Sequence, residues 1–257
     1  MSEITVHRDG AVARVTLSRP ERRNALDPAT IEALIETFGS LAEDDDVRVV
    51  VLAGEGSVFC AGADLTWMAE ARNRSWEDNL ADARRLALAF EAVDASPKAV
   101  VARVQGAALA GGSGLVACAD VAVAAAGAVF GFTEVRVGIL PAAISPYVIR
   151  AIGPRATREL FTTGRRIDAA EALALGLVHR VVAEDELDAV VDEAVATFLE
   201  AAPGAIAASK RLVRESTASL ALGDLPERIA SARVGDEGRE GVTAFLEKRR
   251  PSWAPER

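Results

Sequence analysis

The sequence predicts an α/β protein in which a β/α core occupies residues 1–200 and a helical region occupies residues 201–257. Three observations favour this class. Short runs of β-branched and small apolar residues, typical of buried strands, recur at 47–53, 99–104 and 121–125. Between these runs the apolar residues follow the spacing of a helix face. From Leu187 onward the spacing is helical throughout, so the strands are expected to end before it.

A hairpin and a helix are predicted at the start of the chain. Two alternating apolar runs, at 4–7 and 12–17, flank Asp9-Gly10, which is a turn signal. Asp27 then predicts a helix start, because its side chain can accept a backbone hydrogen bond, and Pro28 fits the first turn. The apolar residues that follow recur at helical spacing: Ile31, Leu34, Ile35, Phe38 and Leu41.

Further helices are predicted on both sides of a central glycine-rich stretch, at 65–72, 76–93, 145–152 and 156–163. Gly153-Pro154 separates the last two. Asp168 and Glu171 have the spacing of a capping box that starts another helix, and Gly176 is the residue expected just after its end. A last short strand is expected at 178–182.

The composition is that of a globular enzyme and excludes some classes of partner. A net charge of −9 argues against nucleic acid and anionic membranes as partners, so a phosphorylated ligand would need locally gathered cations. The start lacks a basic region followed by an apolar one, and Asp120 interrupts the most apolar stretch. We therefore expect a cytoplasmic protein. Cys60 and Cys118 are expected to be reduced core residues, a disulfide being the alternative.

Two turns that follow buried strands stand out as a candidate site. Residues 59–65 and 105–115 each end in small residues before a helix. Unpaired N–H groups at such a helix start can hold negative charge that develops on an oxygen, and an oxyanion hole requires two converging donors. Gly111, Gly112 and Gly114 permit positive φ and a close approach to a ligand. Each turn taken alone also fits an ordinary connection between a strand and a helix.

Glu134 is the candidate proton carrier. It lies in a segment with few charges, so burial is expected to raise the pKa of its carboxyl group. A carboxylate with a raised pKa beside an anion-binding pair of amides suits proton transfer next to a carbonyl group.

These residues resemble the enoyl-CoA hydratase/isomerase (crotonase) superfamily, and the match spans nearly the whole chain in matching order. The segments that carry it are 59–65, Gly106, 110–112, Asp120, 130–131, Glu134, 138–139, Pro141 and 244–249. The resemblance implies a spiral core of ββα units, a C-terminal helical region used in trimer contacts, and acyl-CoA thioester substrates. It implies a homotrimer or hexamer, with no metal and no cofactor beyond the coenzyme A of the substrate.

The resemblance also implies the site residues. The backbone amides of Ala63 and Gly111 would bind the thioester oxygen, and Glu134 matches the second catalytic glutamate of the family. Other positions would bind the substrate: Leu26, Ala61, Asp64, Leu65, Thr66, Gly112 and Gly114. Arg22, Arg23 and Lys248, the last from a neighbouring subunit, would meet the phosphates of coenzyme A. The alternative for Lys248 is a solvated helix end.

One departure from the family concerns the first catalytic glutamate, whose position is Gly114 here. Hydration is easiest when two carboxylates hold the water, whereas an isomerase needs one carboxylate that moves a proton between two carbons. Residues 138–147 nevertheless resemble a bacterial subgroup of methylglutaconyl-CoA and isohexenylglutaconyl-CoA hydratases. In that subgroup Arg136, Ser145 or Tyr147 would contact a substrate carboxylate or position the water. We expect a hydratase, with a Δ3,Δ2-enoyl-CoA isomerase as the alternative.

Other classes of function were weighed against this one. Residues 112–117 match the dinucleotide fingerprint Gly-x-Gly-x-x-Ala, but they do not follow their strand directly. Loss of one carboxylate also fits a non-catalytic protein that binds acyl-CoA. His7 and His179 lack partners at the spacing of metal ligands, and the chain lacks a Gly-x-Ser-x-Gly elbow.

Overall fold

A six-stranded sheet forms the centre of the computed structural model, which describes residues 3–71, 75–218, 236, 240, 244 and 247–253. Its strands are β1 (Ile4–Asp9), β2 (Val12–Leu17), β3 (Val49–Gly54), β4 (Ala99–Val104), β6 (Val121–Ala125) and β9 (Arg180–Val182), in that spatial order. β1 and β2 form the predicted antiparallel hairpin, and every later pair is parallel. The predicted α/β class is confirmed.

Three very short strands form a second sheet that the sequence did not predict. They are β5 (Ala107–Leu109), β7 (Val129–Gly131) and β8 (Arg166–Asp168), paired in that order. A strand of three residues is too short to show alternation, so it carries no periodic signal in the sequence. This small sheet matters because β5 leads directly into the candidate site.

The helices are α1 (Pro28–Ala42), α2 (Leu65–Ala71), α3 (Trp76–Asp94), α4 (Gly111–Cys118), α5 (Ser145–Thr163), α6 (Ala169–Leu175), α7 (Leu187–Leu199) and α8 (Pro203–Ala218). The two helices predicted around Gly153-Pro154 are both present within the range given for α5, and Gly153, with φ 74° and ψ 163°, breaks the helix between them. Residue 72, the predicted end of α2, lies outside the described residues, as does most of 219–257. The helical region predicted at 201–257, with its trimer contacts, therefore stays a prediction beyond α8.

Local capping follows the sequence with one difference. The Asp27 side chain accepts a hydrogen bond from Thr30 N at 2.8 Å and starts α1. Asp168 likewise accepts from Glu171 N at 2.8 Å, but the Glu171 carboxylate pairs with Arg165 instead of returning to the backbone of Asp168. Only half of the predicted capping box therefore forms, because a guanidinium is the stronger partner for a carboxylate.

The central sheet is covered on both faces, which explains why its strands are apolar at consecutive positions. One face packs against α1, α3 and α4 in the larger core, whose strand residues include Val50, Leu52, Val100, Ala102, Ala122 and Ala124. The alternate residues, such as Val49, Val101 and Val123, pack against Leu187 and Val191 of α7. Alternation is hidden in such strands because each face is buried. Within the described residues, no helix is both long and apolar enough to span a membrane.

Candidate active site

A single cavity of about 210 Å³ gathers the two predicted amide donors and the predicted carboxylate. Ala63, Gly111 and Glu134 all line it. Among the described lining residues, Thr133 and Glu134 have the only side chains with hydrogen-bonding groups apart from the Met68 thioether. The remaining wall is apolar and includes Leu26, Ala61, Leu65, Met68, Leu86, Phe90, Leu140, Pro141 and Ile144. The arrangement is a largely apolar cavity with one acid–base group.

The Ala63 amide is left unpaired by the way its segment bonds to the chain beside it. Leu26 N donates to Gly62 O at 2.7 Å, and Asp64 N donates to Leu26 O at 2.8 Å. In such a parallel bridge the residue between the two bonded neighbours directs its own N–H to the opposite side. The Ala63 N–H accordingly makes no hydrogen bond with any part of the chain that the structure describes.

The Gly111 amide is unpaired because it opens a helix. Gly114 N donates to Ala110 O at 3.0 Å, which is the first bond of α4. Gly111 is the first residue of that helix, and an N–H at this position has no acceptor within the helix. Ala110 N donates to Gly131 O at 2.7 Å, so β5 and β7 fix the direction in which the chain enters α4.

The strained residue of this turn is Ala110 and not one of the glycines. Ala110 has φ 48° and ψ −117°, whereas Gly111, Gly112 and Gly114 do not have positive φ. The positive φ that these three glycines permit is therefore not adopted in the structure. A non-glycine residue in this region costs of order 1–3 kcal/mol, and such residues cluster at functional sites.

The glycines are required because backbone from the other turn comes close to them. A Cβ built at Gly112 would lie 2.2 Å from the carbonyl oxygen of Cys60. A Cβ at Gly62 would lie 2.9 Å from the Cβ of Ala110, and Gly62 has φ 94°. Because the two turns are in direct contact, their unpaired amides line the same cavity.

Three buried polar side chains hold these turns in place, and the sequence analysis missed them. Ser113 Oγ donates to Ala108 O at 2.6 Å and accepts from Gly131 N at 3.2 Å, which ties α4 to the small sheet. The Asn24 amide donates to Glu55 O and Val58 O, and the Gln105 amide donates to Gly54 O and Gly56 O. A buried polar residue inside an apolar or glycine-rich stretch is the signal that identifies such residues.

Glu134 begins a short 3₁₀ helix, Glu134–Val137, and forms part of the cavity wall. Its Oε2 atom is buried and has no hydrogen-bond partner among the described residues. Burial raises the pKa of this carboxyl group, and a hydrogen bond from its own backbone N–H offsets the rise only in part. The raised pKa expected from the sequence is present, and it suits a group that alternately takes and gives a proton.

The place of a second carboxylate is closed. A Cβ at Gly114 would lie 2.2 Å from Ile144 Cγ2 and 2.9 Å from Ile144 Cβ. Ile144 is 2% exposed and lines the cavity, whereas Gly114 lies behind it. Gly112 also lies behind the wall, so neither of these two glycines, predicted to bind substrate, reaches the cavity surface.

The remaining predicted substrate residues fall into two groups. Leu26, Ala61 and Leu65 line the cavity itself. Arg22, Asp64 and Thr66 line a neighbouring depression of about 220 Å³. Arg23 and Lys248 are exposed and line neither space.

The Asp64 side chain is already engaged. Its carboxylate accepts a hydrogen bond from Thr66 N at 2.8 Å and pairs with Arg19 at 3.4 Å, so it caps α2. Burial acts to raise the pKa of Asp64, but the Thr66 and Trp67 amides and the charges of Arg19 and Arg22 outweigh it and lower the pKa. Asp64 therefore acts as a fixed anion at the start of α2, whose first residue, Leu65, lines the cavity.

The three residues considered for a substrate carboxylate lie outside the cavity lining. Arg136 donates to Gly164 O at 2.7 Å, and Ser145 Oγ donates to Ala142 O at 2.9 Å. Tyr147 packs beside Phe90 with ring centroids 6.3 Å apart and faces a different cavity. Arg136 is exposed.

Thiol and metal chemistry find no support among the described residues. Cys60 and Cys118 are both free and buried, and burial raises the pKa of the Cys60 thiol to about 12. The expected reduced core cysteines are therefore present. In the described ranges no three His, Cys, Asp or Glu side chains cluster in a way that could hold a metal ion.

Comparison with known proteins agrees with this geometry. The family model described as enoyl-CoA hydratase/isomerase matches residues 7–256. The chain belongs to the enoyl-CoA hydratase/isomerase family. The crotonase superfamily proposed from the sequence is thereby confirmed, and the protein is an enzyme of a family that acts on acyl-CoA substrates.

Solved structures give the same result for the fold. The chain is 38% identical to an enoyl-CoA hydratase from Shewanella pealeana, with a TM-score of 0.94 over 98% of this chain and 96% of the other. It is 40% identical to Pseudomonas aeruginosa AtuE, with a TM-score of 0.94 over 98% of this chain and 100% of that one. An enoyl-CoA hydratase of Mycobacterium smegmatis is 37% identical, with a TM-score of 0.91 and coverage of 98% and 99%.

Proposed function

We propose that this enzyme moves a proton within an enoyl-CoA thioester, using Glu134 as its single acid–base group. The observation that carries the proposal is the cavity in which the unpaired amides of Ala63 and Gly111 and the buried carboxyl of Glu134 meet. The reaction that this geometry supports best is conversion of a 3-enoyl-CoA to a 2-enoyl-CoA. Isomerisation of this kind needs one carboxylate and no water.

In this mechanism the ionised Glu134 takes a proton from C2 of the acyl chain. The electrons of that C–H bond form a C1–C2 double bond while the π electrons of the thioester carbonyl move onto its oxygen, giving a dienolate that keeps the 3,4 double bond. The Ala63 and Gly111 amides stabilise the dienolate oxygen; in other enzymes the loss of one such donor lowers kcat about 10²–10³-fold. When the carbonyl re-forms, the C1–C2 electrons become the 2,3 double bond and the 3,4 electrons take up a proton at C4. Glu134 returns that proton. The glutamate ends the cycle ionised, as it began, and the product has the same atoms as the substrate.

Hydration is the second candidate, and the names of the relatives favour it. Two of the solved structures described above are called enoyl-CoA hydratases. In a hydratase Glu134 would both orient the water and protonate C2. The apolar wall and the closed position at Gly114 count against it, because the described lining offers the water no second carboxylate.

Coenzyme A recognition belongs to the same proposal. Arg22 lies at the depression beside the cavity, Arg23 is exposed next to it in sequence, and both suit the phosphates of the substrate. Lys248 is exposed and would serve from a neighbouring subunit in a trimer or hexamer. The acid–base chemistry needs no separate cofactor.

The proposal is tested by supplying crotonyl-CoA, 3-hexenoyl-CoA and methylglutaconyl-CoA side by side and measuring product mass and 2-enoyl absorbance. We expect 3-hexenoyl-CoA to gain 2-enoyl absorbance at constant mass, with little mass gain from the other two. If crotonyl-CoA gained one water faster than 3-hexenoyl-CoA is isomerised, the result would favour the hydratase. If methylglutaconyl-CoA did so, the result would favour the glutaconyl-type subgroup. Turnover of none of the three would refute the proposal.

Glu134→Gln should abolish turnover and keep coenzyme A binding, because the amide has nearly the same shape and cannot carry the proton. Glu193→Gln, an identical change at an exposed residue of α7, is the matched control and should leave turnover unchanged. Full activity of the Glu134 variant would show that this carboxyl is not the proton carrier.

A further inference from the structure

Ile144 and position 114 compete for one volume inside the active-site wall. The Cβ that any residue other than glycine would place at 114 meets Ile144 Cγ2 at 2.2 Å and Ile144 Cβ at 2.9 Å. Rotation of the Ile144 side chain can move Cγ2 but not Cβ, whose position the backbone fixes. The overlap therefore cannot be relieved by a change of rotamer alone.

The neighbours of this volume are apolar and tightly packed. The ring of Phe90 would lie 3.1 Å from the same Cβ, and Ile144 itself is 2% exposed. Ile144 is the residue that precedes α5, and it contributes its side chain to the cavity wall that also contains Glu134. The space in which a second acid could stand is thus filled by a branched hydrocarbon.

We infer that Ile144 determines which reaction the cavity performs. Its side chain excludes both a second carboxylate and the water that such a carboxylate would hold, which limits the enzyme to proton transfer by Glu134. Water next to an apolar wall lacks the two or more polar partners that it needs to be held in place. This inference rests on the proposed proton-transfer function. It adds a residue that selects between the two candidate reactions, isomerisation and hydration.

A substitution cycle tests the competition directly. Gly114→Glu, Ile144→Gly and the double variant G114E/I144G are compared with the wild type for thermal stability. Ile144 has φ −99° and ψ −11°, which glycine adopts without strain. The Gly114→Glu change should lower Tm much more in the wild type than in the Ile144→Gly background. Equal losses of Tm in the two backgrounds would refute the competition.

The same proteins test the choice of reaction. We expect G114E/I144G to hydrate crotonyl-CoA at least tenfold faster than Ile144→Gly alone, because the new carboxylate gains room beside Glu134. Leu86→Ala enlarges the same cavity at α3 and is the control for general loosening; it should not raise hydration relative to isomerisation. If G114E/I144G does not fold, G114D/I144G, which carries a shorter acid and still lacks the Cβ at position 144, replaces it.

The outcomes separate this inference from the function on which it rests. Wild-type protein that leaves 3-hexenoyl-CoA unchanged would refute the proposed isomerisation, while the hydration rates of the variants would still test Ile144. Wild-type hydration of crotonyl-CoA as fast as isomerisation of 3-hexenoyl-CoA would overturn the role of Ile144. A double variant that folds and hydrates no faster than its parent would also overturn it.

Discussion

A carboxyl oxygen without a hydrogen-bond partner is costly in an apolar wall, and Oε2 of Glu134 is such an atom among the described residues. This atom is buried, and burial raises the pKa of the Glu134 carboxyl group. An enzyme tolerates this arrangement when the proton on that group must move. Stability and activity are therefore opposed at this residue.

That opposition predicts how Glu134→Gln changes stability with pH. Below the ordinary glutamate pKa of 4.5 the carboxyl is protonated in both the folded and the unfolded chain, so the substitution should change Tm little. As the pH rises through the raised pKa, the folded wild type must hold a buried charge and loses stability that the variant keeps. We expect the variant to melt at a higher temperature than the wild type at pH 8.

The measurement is thermal denaturation of both proteins from pH 4 to pH 9. A variant that melts below the wild type at pH 8 would mean that the ionised Glu134 is well partnered, which would contradict its role as a buried, unpartnered proton carrier in the cavity.

The residue scale also shows what sequence reasoning could reach. Glu134 and the amides of Ala63 and Gly111 were identifiable because each lies in a short motif. The strain at Ala110 and the filling of the Gly114 volume by Ile144 were not, because each depends on a contact between distant segments. A glycine in a motif indicates either a positive backbone φ or a close approach by another segment, and only the structure shows which of the two applies.

At the scale of secondary-structure elements, the site is formed by two turns that contact each other. The parallel bridge of Cys60 with Ala108 brings the turn before α2 against the strand before α4, and the bridge of Leu26 with Ala63 joins the same turn to the segment before α1. Buried side-chain hydrogen bonds from Asn24, Gln105 and Ser113 hold the same segments. The long helices were predictable from periodicity and the buried strands from their runs of β-branched and small apolar residues. The strands β5, β7 and β8 were not predictable, because three residues carry no period.

This contact predicts that a methyl group at Gly112 will separate the turns. Its Cβ would lie 2.2 Å from Cys60 O, so Gly112→Ala should move the Gly111 amide away from the substrate oxygen. We expect kcat to fall about 10²-fold, at the lower end of the range for loss of an oxyanion donor. Steady-state kinetics with 3-hexenoyl-CoA provide the measurement.

Gly39→Ala in α1 is the matched control. A Cβ there meets nothing within 4 Å, so activity should be unchanged and stability should rise by about 0.5–1 kcal/mol, as for alanine in a helix interior. A Gly112→Ala enzyme with the kcat of the control would show that the contact between the turns does not position the amide.

At the scale of the whole molecule, a partly buried ion pair attaches α8 to the sheet. Lys210 Nζ lies 2.7 Å from Asp120 Oδ2 and donates to Lys98 O at 2.8 Å. Asp120 also accepts from Val100 N at 2.7 Å, so one carboxylate joins β4, the start of β6 and the helix. The side chains of Lys210 and Asp120 are 12% and 22% exposed, which makes the loss of one partner expensive.

Lys210→Met should therefore lower the free energy of unfolding by about 3 kcal/mol, because it leaves Asp120 largely buried without its cation. Arg180→Ala breaks an exposed pair with Glu193, whose side chains are 46% and 69% exposed, and should cost less than about 1 kcal/mol. Urea denaturation of both variants and the wild type measures the difference. Equal losses would show that the pair on α8 is no stronger than a surface contact.

The central claim is that one thioester oxygen is held by two amides from separate turns while one carboxyl group faces the reacting carbon. A crystal structure of the Glu134→Gln variant with bound 2-hexenoyl-CoA tests it most directly. The thioester oxygen should lie ~3 Å from both Ala63 N and Gly111 N, with the substituted side chain facing the acyl carbons. A thioester oxygen out of reach of either amide, or a side chain at position 134 turned away from the acyl chain, would contradict it.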